Sequence, residues 1–200
     1  MSRRAEQSRT TREHLVEVAT RLFASRGYDG TSIEAVLDEA GVSRGALYHH
    51  FKGKEALFDA VLASVETRIA EVTIAAIVDA TDPDQPDPVA ALRAGSLAWI
   101  RLAGDPVVRR IVLIDAPAVL GWERWREIEE ENALGGVKAT MQVAADAGLV
   151  PDELVDLFAH MLLASVNELA LVVARSDDRD AAQATAAQAV DDFLARLLRA

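Results

Sequence analysis

The sequence predicts an all-α chain, and three observations carry that prediction. Apolar residues recur at three- and four-residue intervals in segment after segment, the period of a helix with one buried side. No stretch alternates apolar and polar residues as a half-buried strand would, and no Asn-Gly hairpin signal occurs. Glycines and prolines cluster between the periodic stretches, where helices stop. Half of the 200 residues are hydrophobic, enough for a sizeable core in one large or two small domains.

Taken in order, Thr10-Thr11-Arg12-Glu13 has capping-box spacing, with Thr10 as N-cap of a first helix. Leu15, Val18, Ala19, Leu22 and Phe23 form its buried stripe, and Gly27 and Gly30 end it. Residues 1–9 ahead of it read as a flexible basic arm carrying Arg3, Arg4 and Arg9. Thr31-Ser32-Ile33-Glu34 is a second capping box, opening a helix that buries Ile33, Val36, Leu37 and Ala40. Gly41 supplies a left-handed stop and Ser43 caps a very short third helix. Leu47 and Phe51 give that helix one apolar side; Arg44, Gly45, Ala46, Tyr48, His49 and Lys52 are polar or small and point elsewhere. This is a helix-turn-helix with a supporting first helix, occupying 10–56, and a helix so short with such a face is built to be presented to DNA.

Residues 57–200 read as a larger helical domain, which the family resemblance given below implies to be regulatory and dimerising. A long helix runs from Lys54 to about Ala80, broken by Pro83, Pro86 and Pro88. Further helices are expected from about Val89 to Ala103, from Val107 to Ala116 with an end near Pro117, and from Ala118 to about Glu131. Gly135-Gly136 marks a break or kink before a helix through Ala147. The final pair, Asp152 to Arg175 and Asp180 to Arg199, is apolar around much of its circumference or rich in alanine, and needs partners beyond one protomer's core.

Composition narrows the function classes. No cysteine is present, which excludes disulfide scaffolds and thiolate metal sites and fits a reducing cytoplasm. No apolar leader core and no unbroken membrane-length apolar run stand in the sequence. The net charge is −11, yet the residues through Lys54 carry a net +2 and the remainder −13. An acidic body with a weakly basic head fits a protein that meets DNA at one end. The four histidines lie in separate segments without nucleophilic or acidic companions, so neither catalytic set nor metal site nor cofactor loop is expected. His49 and His50, neighbours in a helix, point about 100° apart and cannot share one ion.

The stretch from Thr10 to about Ala60 resembles the DNA-binding domain of the tetracycline-repressor (TetR) family. The resemblance rests on Leu22-Phe23-Ala24 with Gly27-Tyr28, on Thr31-Ser32-Ile33, and on the run from Ala40 through Leu57. It implies a homodimer, paired through the last two helices, whose recognition helices enter successive major grooves of a palindromic operator roughly 34–36 Å apart or further. By position it places Thr31, Ser43, Tyr48 and Lys54 on the phosphate backbone and Arg44, Gly45, Ala46 and His49 over the groove floor, with Ser32 also among the DNA-binding residues. Arg44 suits the O6/N7 edge of guanine, and the Ala46 methyl suits thymine.

The resemblance also implies a small apolar or amphipathic effector that releases a repressor from its operator. Phe58, Leu62, Trp99, Asp115, Trp122, Trp125, Met141 and Met161 are the candidate pocket residues. Asp115 interrupts an apolar run and has three readings: it holds a polar group of the effector, it pairs with an arginine such as Arg110, or it caps the turn at Pro117. The second functional reading is a dimeric DNA-binding regulator without an effector, controlled by abundance or a protein partner.

Overall fold

A computed structural model describes residues 3–198. The helices are α1 (Arg3–Arg26), α2 (Ile33–Ala40), α3 (Arg44–His50), α4 (Lys54–Ala80), α5 (Pro88–Leu102), α6 (Pro106–Val108), α7 (Ala116–Leu120), α8 (Trp122–Glu129), α9 (Gly135–Asp146), α10 (Val155–Arg175) and α11 (Arg179–Leu197). Widened π-helical turns, Arg109–Asp115 and Glu130–Leu134, join α6 to α7 and α8 to α9. No strand occurs among the described residues, so the fold is all-α as expected.

Several ends differ from the sequence reading. The first helix does not begin at Thr10: it is already helical at Arg3, so the expected basic arm is largely helix, and Met1 and Ser2 lie outside the described residues. The physical reason is that Arg, Ala, Glu and Gln upstream favour helix and nothing there interrupts it. The cap of α2 is Ser32, which accepts from the Ala35 N–H at 3.1 Å, one residue later than Thr31. The expected stop near Pro117 does not occur. The Ala116 N–H reaches back five residues to the Ile111 carbonyl, and this wide turn accommodates a proline that has no N–H to donate. The chain stops instead at Gly121, whose φ of +81° suits glycine. Gly135-Gly136 likewise opens α9 directly from a π turn. The expected end at Arg199 lies outside the described residues.

The chain forms two compact units. The first contains the residues up to Thr67 together with Pro106–Trp122; the second contains Arg68–Asp105 and Glu123 onward. In the first, α1 buries Leu15, Val18, Ala19, Leu22 and Phe23, and the short helices contribute Val36, Leu47 and Phe51. Phe23, Tyr28 and Phe58 pack as one aromatic cluster with ring centroids 5.1–5.7 Å apart. The distant segment 106–122 joins this unit through Asp115, which is 6% exposed. Its Oδ2 accepts the Tyr28 backbone N–H at 2.8 Å, and its other oxygen meets the Arg110 guanidinium at 3.1 Å. Gly27, at φ +75°, lies against Arg110 so closely that a Cβ there would stand 1.8 Å from the guanidinium.

The second unit is a helical bundle of α5, α9, α10 and α11 with the latter part of α4. Asp87 caps α5 by accepting from the Ala90 N–H. Arg93 on α5 grips Asp191 on α11 with two nitrogens, at 2.5 and 3.1 Å. Gly95 keeps the α4–α5 approach close, since a Cβ there would sit 3.3 Å from Ile77. The stretch Asp152–Arg175, which includes α10, is long and apolar enough by composition to cross a membrane. It buries Val155, Ala159, Leu162, Val166, Ala170 and Val173 in this unit while Leu157, Met161 and Val172 face outward.

Candidate nucleic-acid interface

The turn into α3 is built by Gly41 at φ +66°, whose N–H donates to the Leu37 carbonyl at 3.0 Å. Ser43 follows in extended conformation and accepts from the Ala46 N–H at 3.3 Å. Leu47 and Phe51 are buried, and the Arg12 guanidinium covers the Phe51 ring at 5.3 Å. This anchoring fixes which side of α3 faces out. Ser43, Arg44, Gly45, Tyr48 and His49 are exposed and Ala46 partly so. His49 and His50 stack edge to face at 5.0 Å; burial, then the charges of His49 and Arg12, lower the His50 pKa from its ordinary value.

The Gly45 backbone is not left-handed, and a Cβ there would meet nothing nearer than Ser43 Oγ at 4.0 Å. Alanine is the better helix former by about 1 kcal/mol, so the fold itself does not require glycine here. Glycine leaves this exposed position without a side chain. Gly45→Ala is therefore expected to stabilise the chain by about 0.4–1 kcal/mol while weakening operator binding by about fivefold or more, as an added methyl crowds a packed interface. Urea melts and DNA titrations on the same protein check both signs. A variant that binds DNA at full strength would remove Gly45 from the interface.

Arg44 is held by Glu34 at 2.5 Å, both side chains well exposed. A backbone hydrogen bond first, and then Arg44, hold the Glu34 carboxyl below its usual range. An exposed pair of this kind is cheap to separate, so Glu34 does not lock Arg44 in place. Ser32 and Tyr48 are exposed. Thr31 departs from expectation: it is 1% exposed and its hydroxyl donates to the Gly27 carbonyl at 2.9 Å, so it serves the α1–α2 turn and has no surface for a phosphate. Lys54 is partly buried and its ammonium lies 4.1 Å from the Tyr28 ring centroid, tying α4 to the same turn. Burial, with Glu55 and other acids nearby, pushes the Tyr28 hydroxyl above its ordinary pKa.

Two family models cover most of the chain. Residues 15–61 match the model of bacterial regulatory proteins of the tetR family, and residues 89–197 match that of the tetracyclin repressor-like C-terminal domain. The chain belongs to the TetR family. Among curated relatives, the AcrR regulator of Shigella flexneri is 40% identical over 75 residues, 37% of this chain and 35% of that protein. The chain thus matches only about a third of the length of such relatives. A TetR-family regulator from Pectobacterium atrosepticum superimposes with a TM-score of 0.80 at 28% identity, over 100% of this chain and 99% of that one. SmeT, solved in complex with triclosan, gives a TM-score of 0.74 at 26% identity over 95% and 92%.

The candidate pocket residues of this TetR-family chain fall in both units. In the first, Phe58 and Leu62 are buried, Phe58 within the aromatic cluster; Asp115 is engaged by Arg110 and Tyr28; Trp122 is 60% exposed. In the second, Trp125 and Met141 are buried, Met161 is exposed, and the Trp99 indole N–H is buried with no acceptor. A cleft of about 310 Å³ in this unit is lined by Thr81, Pro83, Asp87, Ala139 and Val143 among others and holds none of them. One group was missed altogether. Glu66 on α4 is 8% exposed, and the signal was present: an acid four residues after Leu62 and three before Ile69, on a stripe otherwise apolar.

Proposed function

We propose that the chain is a ligand-responsive transcriptional repressor of the bacterial cytoplasm that grips a palindromic operator as a homodimer. The outward face of α3 carries the proposal, because Ser43, Arg44, Gly45, Tyr48 and His49 are exposed together on a helix anchored by Leu47 and Phe51. Arg44 and Ala46 read base edges, while Ser32, Ser43 and Tyr48 position the helix on phosphates. The outer side of α10, with Leu157, Met161, Ala164 and Val172 exposed at helical spacing, supports a dimer through α10 and α11. Membership of the TetR family and the SmeT–triclosan pairing support a small-molecule effector. That effector shifts the protein between two states by its differential affinity for them, and α4 carries the shift to the head.

Selection of duplexes from fragmented genomic DNA of the source organism, at near-physiological salt, tests the reading. One inverted repeat is the expected product. On that repeat Arg44→Ala should cost about 1–3 kcal/mol at a single base position and relax specificity there. No enrichment by protein stripped of small molecules would remove the regulator reading.

A further inference from the structure

We infer that the cleft between the α4–α5 turn and α9 is a binding site for an extended aliphatic polyamine. The cleft lies wholly in the second unit, measures about 310 Å³ and contains none of the pocket candidates named above. Its lining is of two kinds. Pro83, Pro86 and Pro88 from the turn and Ala139 and Val143 from α9 supply hydrocarbon, and Val143 is 40% exposed. The polar lining is Thr81, Thr140, Asp82 and Asp87, and it offers acceptors only. Both hydroxyl protons are spent on carbonyls one turn back, Thr81 on Ile77 at 2.8 Å and Thr140 on Gly136 at 3.0 Å. Among the described residues, no lining side chain brings a positive charge or an unspent donor.

Charge selects the occupant. Asp79, Asp82, Asp84 and Asp87 stand within nine residues, and no Lys, Arg or His occurs between Arg68 and Arg93. The nearest cations in sequence are engaged elsewhere: Arg68 with Asp105, Arg93 with Asp191, and Lys138, beside Ala139, with Asp156. Among the described residues no ion pair reaches any of the four aspartates. The long helix α4 also ends here with no basic residue in its last turn, so the negative end of its dipole adds to the field. The N-terminus of α5 is already answered by Asp87. A metal ion does not suit these acids, which follow the turn and do not converge; no group of three or more acids or histidines among the described residues could hold one. An anion is repelled, and a ligand that only accepts hydrogen bonds finds no side-chain donor. A polyamine answers both parts of the lining. Its ammonium groups donate to the carboxylates, and its methylene runs lie on proline, alanine and valine.

The test titrates spermidine into the full chain at near-physiological salt, read by calorimetry and equilibrium dialysis. Hexaamminecobalt(III) serves beside it as a compact cation of the same charge without hydrocarbon. One spermidine per chain is the expected stoichiometry, bound about fivefold or more tighter than the cobalt complex. Asp82→Asn with Asp87→Asn keeps the α5 cap, since asparagine caps as well as aspartate, and should weaken spermidine about fivefold or more. Asp177→Asn with Asp180→Asn changes the net charge equally at another exposed place and should stay within about twofold of the natural chain. Ala139→Trp fills the cleft from an exposed position of α9 without touching charge, and should cost about as much as the Asp82 and Asp87 pair. The inference is overturned if spermidine does not saturate one site per chain or if the cobalt complex binds as tightly. It is equally overturned if the Asp177 and Asp180 pair loses as much as the Asp82 and Asp87 pair, or if a folded Ala139→Trp chain binds at full strength. The site and the regulator reading stand or fall separately, because no candidate DNA-binding residue lines the cleft. Duplex selection without enrichment would leave the polyamine site in place, and absent spermidine binding would leave the operator reading untouched.

Discussion

Asp115→Ala lowers the stability of the chain by about 3 kcal/mol, the size expected when one partner of a buried, charged hydrogen-bond set is removed. The carboxylate is 6% exposed and satisfies two donors, the Tyr28 backbone N–H at 2.8 Å and the Arg110 guanidinium. Without it the Tyr28 N–H has lost its acceptor and the guanidinium its counter-charge, while a void opens beneath the turn. Asp115→Asn keeps an acceptor for Tyr28 and gives up only the charge, so it should cost roughly a third as much. For a chain of this length the alanine variant should melt roughly 6–12 °C lower. Calorimetry on the two variants decides the matter. A melting point within a degree of the natural protein would mean that the bridge contributes nothing.

The second large effect is on pH. Unfolded, Glu66 releases its proton near its ordinary value of 4.5; folded, burial lets it hold the proton up to about 7. Between those values the folded chain binds more protons than the unfolded one, so this group's contribution to stability falls as pH rises across the window and is level above it. A separation of this size corresponds to about 3 kcal/mol. Glu34, Asp156 and Asp191 shift the other way, and their contributions are lost only as pH falls below the ordinary carboxylate range, outside the Glu66 window. Urea midpoints at pH 5, 6, 7 and 8 for the natural chain and Glu66→Gln isolate the term, since other titrating groups cancel in the difference. A difference curve without slope across that range would mean that Glu66 ionises in the folded chain as freely as in water.

Most of the architecture was legible in the sequence because helices announce themselves by period and punctuation. The stripe Leu15 to Phe23, the Gly41 turn and the proline break after Ala80 are local signals, and local energetics decides them. The misplacements have a common cause. The first helix extends back to Arg3 because a capping-box pattern at Thr10 marks a start only where the residues before it resist helix. The helix passes Pro117 because a π turn relieves the clash, and that widening leaves no mark on hydrophobic spacing. The recognition face was readable because its polar residues have no place in a core. Thr31 was misjudged since its matching position says nothing of burial, and its hydroxyl is turned inward to Gly27. Tertiary facts were beyond the pattern: that Asp115 reaches a residue 87 positions earlier, and that Glu66 is buried with no partner among the described residues.

The bridge from Asp115 to Tyr28 also bears on the order in which the molecule is made. Residues through Thr67 leave the ribosome first, yet the unit they belong to includes Pro106–Trp122. Translation must therefore proceed roughly 50 residues past Thr67 before the turn between α1 and α2 meets its acceptor. A fragment cut after Thr67 would carry the whole helix-turn-helix and still lack the carboxylate that fastens its first turn. The first unit is thus discontinuous in sequence, completed by a segment synthesised after the long helix α4. A nascent chain completes this unit only once all of the second unit's α5 has also been made.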